Sequence, residues 1–573
     1  MTRGRAGIAP AWLVLLTGVV ATGCGGENAG PLAAPGRGRT FAIEPVGPGV
    51  RIGAPGGGSP DRLAARLLPL PGTGGSAADV EVRFEVERGG GRVARATALT
   101  DAAGVASVPY VSSGSPDSTR VRIQVVEDPG AAIRVEVLAR PAFALAAAPG
   151  TVLAVPRAGR GVLLEVPAGA TVDLVPYDTS PERGRLEYAL RSDEGVALDA
   201  AASPAAAPRL VPAIPSTEPA ETPPAGAFPD TSFPFAGDLP KAYDVANCEL
   251  GAHRFAPLAR AGRALALYVD AAQPPDPARL SELVDTFDAH VAPLLEGLFG
   301  RPVDLDGNGR VLAVMSHAMR PDGGVYCGSV QRRGREVLYT AWDPDQPAEE
   351  QLRVLAHEYQ HVINASQHFR WDRAGRPVDE PWLNEGFSQV AEWKAGYPGE
   401  DLRRVSAFLA RMNASLPLLA ERRGSDFVAG RFLFALWLGD RFGDAIYRAL
   451  GQSGLAGREN VERVTGVPFR DILRDWFVTL ALSDAPPAEP AWRYRSIELA
   501  GEAERGAACG CLPAGRLTGV VFEPLRLESD LAIVRTLDVQ DADFFRVTAG
   551  ERPAALYFHA GDDPDVELFA VPH

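Results

Sequence analysis

The spacing of apolar residues changes twice along this chain, from alternation to a helical repeat and back, and no single-layer fold accommodates that. Val80, Val82, Phe84 and Val86 alternate with polar residues, the period of a strand with one buried face. Val121, Ile123 and Val125 repeat the pattern, as do Ile133, Val135 and Val137. Between 277 and 298 the apolar positions become Leu280, Leu283, Val284, Phe287, Val291, Leu294, Leu295 and Leu298, which is helical spacing. Alternation returns in Phe544 to Val547 and Ala555 to Phe558. At roughly 100–200 residues per domain, a chain of 573 residues holds about three to five units.

Residues 1–23 read as a targeting segment. Arg3 and Arg5 precede an apolar run from Trp12 to Val20 that is too short to span a bilayer comfortably. The run ends in Ala21-Thr22-Gly23-Cys24, which resembles the bacterial lipoprotein processing site. That resemblance implies cleavage before Cys24, lipidation of Cys24, and an exported protein anchored in the bacterial cell envelope. Residues 24–75 are rich in Gly, Pro and Ala and read as a flexible tether. Residues 76–140 carry short strands and turn signals, as a β-sandwich does. Their Thr100-Asp101-Ala102-Ala103-Gly104 turn, after Gly89-Gly90-Gly91, resembles invasin-type Ig-like domains, which act as spacers or adhesive stalks. Residues 141–200 read as a second small β unit and the Pro/Ala-rich 201–240 as a linker. Residues 241–482 mix strands with helices, and 483–573 form a C-terminal β domain.

Hydrophobic residues make up 46% and charged residues 23%, which suffices for ordinary globular cores. The formal net charge of −15 gives no electrostatic basis for a nucleic-acid partner. Past Cys24 the remaining cysteines are Cys248, Cys327, Cys509 and Cys511. Four thiols in an exported chain are candidates for disulfides, with three connectivities open. Their spacing does not suit a zinc knuckle.

The densest chemistry lies in Glu349 to Ser366, which reads as a helix with Leu352, Leu355, Val362 and Ile363 on its apolar side. His357 and His361, four apart, share one face. Two imidazoles so placed can bind one Zn²⁺ at about 2.0–2.1 Å. Glu358 stands beside such a metal rather than on it, where a general base for a bound water belongs. Histidine is scarce, with 8 in the chain, so a chance match is on the order of one per cent.

A catalytic zinc usually has three protein ligands. His368 is one option, but the metzincin pattern places its third histidine one position earlier, at Gln367, and has glycine where this chain has Asn364. Glu385 is the other option. Trp382-Leu383-Asn384-Glu385-Gly386-Phe387 resembles the second zinc helix of gluzincins, where an Asn-Glu pair carries the third ligand. The separation from His361, and an Asp304-Leu305-Asp306-Gly307-Asn308-Gly309 turn upstream, resemble hyicolysin-type metallopeptidases over about 260 to 450. The resemblance implies zinc on His357, His361 and Glu385, with Glu358 moving the proton during peptide hydrolysis. The strand at 311–315 or at 337–341 could pair with an extended peptide substrate.

The resemblance is incomplete. The helix beginning near Ser425 opens with Asp426-Phe427 where a tyrosine is sought, so His317, Tyr359 and Tyr397 stay open as the group that stabilises the oxyanion. Position 389 is Gln rather than the Asp that orients a zinc histidine in some relatives. In the Asp304 turn, position twelve is Met315, which removes the EF-hand reading. An Asx-turn and a bound Ca²⁺ remain the two readings of that loop.

The expected protein is therefore multidomain: an all-β N-terminal Ig-like region, an α+β zincin, gluzincin-like peptidase domain, and a small C-terminal β domain. The expected activity is zinc-dependent endopeptidase action on a protein or peptide substrate. The alternative is a surface adhesin or binding protein with an inactive peptidase-like domain.

Overall fold

The computed structural model describes residues 41–46, 50–53, 61–73, 75–113, 117–155, 161–180, 186–192, 205–206, 209–213, 242–244, 255–270, 275–304, 306–317, 324–326, 336–371, 380–398, 401–414, 425–483, 489–503, 515–527, 531–560 and 565–573. Cys24, Cys248, Cys327, Cys509 and Cys511 lie outside them. So do residues 1–40, on which the targeting reading rests.

The first unit is a pair of sheets. One holds Phe41–Pro45, Asp61–Pro69, Val105–Val111 and Arg92–Val93; the other holds Val50–Gly53, Ala132–Ala139, Asp117–Val125, Glu81–Arg88 and Thr97–Leu99. Phe84, Val108, Val121, Ile123 and Val135 meet between them with Leu63 and Leu67. The alternating strands read in 76–140 are present, but the tether expected at 24–75 is corrected from residue 41 on, residues 24–40 lying outside the described residues. Phe41–Pro45 pairs antiparallel with Asp61–Pro69, which pairs in turn with Val105–Val111. The reason is an alternation hidden by glycine and proline around it: Leu63, Ala65 and Leu67 are buried while Arg62, Arg66 and Leu68 point outward. The Asp101 side chain accepts from the amides of Ala103 and Val105, each at 2.9 Å, and Gly104 turns with φ +74°. That is the physical content of the Thr-Asp-x-x-Gly signal.

The second unit corrects two expectations at once. The small β unit at 141–200 and the C-terminal β domain at 483–573 are two halves of one sandwich. Val162–Val166 pairs with Ala554–His559, Thr171–Asp178 lies between Phe545–Thr548 and Val566–Pro572, and Leu186–Arg191 pairs with Ala532–Leu537. Leu164, Val172, Leu174 and Tyr188 share one core with Phe545, Val547, Leu556 and Leu568. Val162, Leu163 and Leu164 are buried in succession, so this strand is covered on both faces, and the strand beside it comes from the far end of the chain. The linker expected at 201–240 is pinned where it is described. Ala205–Ala206 pairs with Ala142–Ala144, and Ala213 donates its amide to Asp475 at 2.7 Å.

Between the two halves of that sandwich the chain builds a mixed layer of strands and helices. A six-stranded sheet runs in the order Ala242–Asp244, Phe255–Ala261, Leu265–Val269, Val311–Ser316, Val337–Ala341, Gly324–Tyr326. Leu265–Val269, Val311–Ser316 and Val337–Ala341 are parallel and fully buried, as strands covered on both faces must be. Gly324–Tyr326 is an edge strand, antiparallel to its neighbour.

Helices α1 (Pro277–Thr286) and α2 (Ala292–Phe299) form one rod with a wider turn at Phe287–Val291. The Asp276 side chain caps the rod and Pro277 opens it, as helix starts favour. Then come α3 (Ala348–Trp371), α4 (Pro381–Ala395), α5 (Asp401–Leu409), α6 (Ser425–Phe442), α7 (Ala445–Gln452), α8 (Gly457–Thr465) and α9 (Phe469–Ala481). The helical layer and the second sandwich share a core. Tyr177 and Phe569 of the sandwich stack together at 5.7 Å, and Tyr177 meets Phe477 of α9 at 5.9 Å. The chain is thus multidomain, with a large β-rich N-terminal region and a helical region.

Candidate metal centre

Helix α3 runs unbroken from Ala348 to Trp371. Its buried side, with Leu352, Leu355, Val362 and Ile363, packs into the main core. That burial fixes its rotation and turns His357 and His361 toward α4. Helix α4 starts at Pro381 and stops at Gly396, which adopts φ +88° and closes the last turn, as C-terminal glycines do. The sequence carries a start and a stop signal at these ends, Asp379-Glu380-Pro381 and Gly396-Tyr397-Pro398. The side-chain amide of Asn364 on α3 donates to Asn384 Oδ1 on α4 at 2.6 Å. This bond pins the two helices together one residue before Glu385.

The result is a three-ligand cluster. One ligand atom each from His357, His361 and Glu385 lie within 4.8 Å of one another. Glu385 reaches both imidazoles, with Oε2 at 3.5 Å from His357 Nε2 and Oε1 at 3.7 Å from His361 Nε2. The rings are 4.8 Å apart and nearly perpendicular at 83°. The helix continues past Asn364, so the turn that would bring His368 round as third ligand does not form; His368 lies on the α3 backbone, and its side chain is outside the described residues.

Both histidines have polar neighbours, and for His357 the neighbour leaves Nε2 facing inward. His357 Nδ1 sits 2.6 Å from Glu392 Oε1. The other oxygen of Glu392 accepts from Arg353 at 2.7 Å, and Arg353 donates twice to Glu350, at 2.9 and 2.6 Å. Ser388 Oγ lies 3.0 Å from His361 Nδ1 and 2.9 Å from Gln360 Oε1. The same hydroxyl lies 3.2 Å from His361 Nε2 and 3.0 Å from the Asn384 carbonyl; its one proton goes to one of the two acceptor oxygens, Gln360 or Asn384, and its oxygen is left to face the imidazole of His361.

The electrostatics follow from burial and from these pairs. Glu358 is buried, and its Oε2 has no hydrogen-bond partner among the described residues. Burial, with Glu385 and Glu392 nearby, raises it to about 8 against the pull of His357. Burial lowers His361 to about 4. For Glu385 burial acts upward, but the bond to His357 and the proximity of His361 win and draw it down to about 2. For His357 burial acts downward, and hydrogen bonds to Glu385 and Glu392 overcome it and push the ring well above its usual range. Two neutral-capable imidazoles and one ionised carboxylate, converging with a buried carboxylate oxygen beside them, are a donor set that fits a zinc-sized dication.

Glu392, Arg353, Ser388 and Gln360 were not picked out from the sequence. Their signal was positional: Glu392 lies seven residues, two helical turns, after Glu385, and Arg353 four before His357. The groups left open for the oxyanion are engaged elsewhere. Tyr359 points away from the histidines and donates to Glu296 at 3.1 Å. Tyr397 stacks on the edge of His290 at 6.4 Å, and His317 Nδ1 lies 3.2 Å from Asp270.

A second acidic group comprises Asp304, Asp306 and Glu336, with ligand atoms within 4.8 Å of one another. Glu336, just before Val337–Ala341, was not anticipated. The turn itself is closed by side-chain bonds: Asp304 accepts from Gly309 N at 3.0 Å, Asp306 from Asn308 N at 3.2 Å, and Asn308 from Arg310 N at 2.8 Å. Met315 is buried in the strand that follows.

No protein-family model matches this chain, and no curated protein matches it. Among solved structures it is similar to the D0-D1 domain of Intimin, at 14% identity over 26% of this chain and 70% of that one, with a TM-score of 0.15. It is similar to the secreted serine protease VesC from Vibrio cholerae at 9% identity, covering 26% of this chain and 39% of that one, with a TM-score of 0.16. Escherichia coli alpha-2-macroglobulin activated by porcine elastase is 11% identical, covering 93% of this chain and 42% of that one, with a TM-score of 0.15.

Proposed function

We propose that this chain is a zinc-dependent metallopeptidase of gluzincin, hyicolysin-like type, exported and lipid-anchored through Cys24 in the bacterial cell envelope. The observation that carries the proposal is the convergence of His357, His361 and Glu385 within 4.8 Å, beside the buried, unbonded oxygen of Glu358. The order of strands and helices around that cluster supports a zincin-like domain. Among the described residues no helix is long and apolar enough to cross a membrane, and anchoring rests on the segment before Cys24 alone.

Zinc on such a donor set supplies polarisation of a carbonyl and a bound water with pKa near about 7. The protein's own part is positional and acid–base. His357 offers Nε2 because Glu392 occupies its Nδ1 side, and His361 stands beside it with Ser388 against its ring. Glu358 takes the proton of the attacking water and returns it to the leaving amine. Burial raises Glu358 to about 8, and a cation held next to it would lower it again and favour the ionised form that a base needs. An extended protein or peptide substrate pairs with an open sheet edge. Both strands named for that role, 311–315 and 337–341, are interior. Of the two strands that end this sheet among the described residues, Ala242–Asp244 and Gly324–Tyr326, the role moves to Gly324–Tyr326, which packs against α3.

Metal analysis tests the ligand set. The full chain is expected to retain one zinc per molecule after dialysis, Glu385→Ala to lose it, and His368→Ala to keep it. Zinc loss confined to His368→Ala overturns the gluzincin assignment.

A further inference from the structure

The residue expected to orient a zinc histidine, four after Glu385, is Gln389. It is buried, and its Oε1 makes no hydrogen bond among the described residues. The bond to His357 Nδ1 comes from Glu392 instead. We propose that Glu392, one turn further along α4 and clamped by Arg353, is the positioning residue of the metal centre. It sets which nitrogen of His357 faces the metal, and it strengthens that ligand. This inference rests on the zinc-peptidase reading above.

The geometry divides the work between the two carboxylate oxygens. Oε1 lies 2.6 Å from His357 Nδ1, and Oε2 accepts from Arg353 Nη1 at 2.7 Å. An ionised carboxylate only accepts, so Nδ1 must carry a hydrogen, and the nitrogen freed to bind a metal once His357 is neutral is Nε2. Glu392 is 1% exposed. A charge buried to that degree is retained only when it is paired and hydrogen-bonded, and Arg353 is the pair. Arg353 is itself buried and is held by Glu350 from the same helix. The three residues form one rigid strut from α3 to α4 that ends on the imidazole. His361 has only the neutral Ser388–Gln360 arrangement, so the two histidines are supported unequally. Acceptors bonded to the far nitrogen of a metal-binding histidine raise its basicity, and their loss costs about 10–100-fold in metal affinity.

The rival account is that the Arg353–Glu392 pair merely staples two helices together. Zinc affinity of the full chain, measured by competition with a chromogenic chelator and paired with circular dichroism to monitor folding, separates the two. The proposal expects Glu392→Gln to bind zinc about 10–100-fold more weakly with the fold retained. It expects Arg353→Met to weaken binding in the same direction, and Gln389→Ala to leave it within about twofold. Equal affinity in Glu392→Gln and the unaltered chain overturns the inference and leaves the peptidase reading standing. So does a Gln389→Ala loss as large as that of Glu392→Gln. Absence of zinc binding by the unaltered chain overturns both. Should Glu392→Gln fail to fold, ¹⁵N-histidine NMR of the unaltered zinc-loaded protein decides. A hydrogen on His357 Nδ1 with Nε2 coordinated supports the proposal; coordination through Nδ1 overturns it.

Discussion

Gly386 of α4 lies directly against the backbone of Arg431 on α6. A Cβ at Gly386 would come within 2.8 Å of the Arg431 carbonyl oxygen and 3.0 Å of Ala435 Cβ. The glycine next to Glu385 is thus a packing requirement, which lets α6 approach close enough to support the helix that carries the carboxylate. Gly386→Ala should destabilise the chain by about 1–3 kcal/mol, despite alanine's better helix propensity. It should weaken zinc binding as α4 moves. Thermal melts and chelator competition measure the two effects, and a more stable variant with unchanged affinity would refute the packing argument.

The strand Val566–Pro572 lies between Leu153–Val155 and Thr171–Asp178, in the interior of its sheet. Phe569 is fully buried and stacks on Tyr177, which reaches α9. Phe569→Ala should therefore cost about 3–5 kcal/mol and loosen the helical layer together with the sandwich. Amide hydrogen exchange in α9 is the readout; a loss of protection confined to the sandwich would contradict the shared core.

Buried acids give this sandwich a pH dependence of its own. Burial raises Asp543 to about 6, against the bonds it accepts from Tyr188 and Arg535. Burial also raises Asp541 and Asp178. A carboxyl whose folded pKa exceeds its unfolded value favours the folded state while protonated. That contribution is complete below about pH 4 and is lost as pH climbs through about 6, at up to about 2–3 kcal/mol for Asp543. Urea unfolding from pH 4 to 7 should show it, with Asp543→Asn flattening the curve. An unchanged slope in the variant would assign the effect to another group.

Metal binding should depend on pH in the opposite sense. The proton held by His357 between Glu385 and Glu392 must leave before Nε2 can act as a ligand. Zinc affinity should rise with pH through the neutral range, with proton release seen as a buffer-dependent heat in calorimetry. Affinity independent of pH would contradict the assignment of His357.

The local elements were legible where a short pattern controls a short structure. The caps of α4, the Asp101–Gly104 turn and the helical face of His357 and His361 each depend on residues a few positions apart. Long-range pairing was not legible. Nothing in Val162–Val166 announces that its partner is Ala554–His559, because a doubly buried strand carries no register signal. The alternation of Leu63, Ala65 and Leu67 was masked by flanking glycine and proline. Within the site, the residues that would touch a metal follow from the type and spacing of their side chains. Glu392 does not, because its role depends on how α3 and α4 cross, and the oxygen of the expected residue, Gln389, makes no hydrogen bond among the described residues.

The central claim is that Glu358 moves the proton in a zinc-dependent peptide hydrolysis. Digestion of denatured casein by the zinc-loaded full chain, beside zinc-loaded Glu358→Gln with verified metal content, tests it most directly. The account predicts chelator-sensitive hydrolysis by the unaltered chain and a loss of at least about 100-fold in Glu358→Gln with zinc still bound. Hydrolysis undiminished in Glu358→Gln, or none by the zinc-loaded unaltered chain, would contradict it.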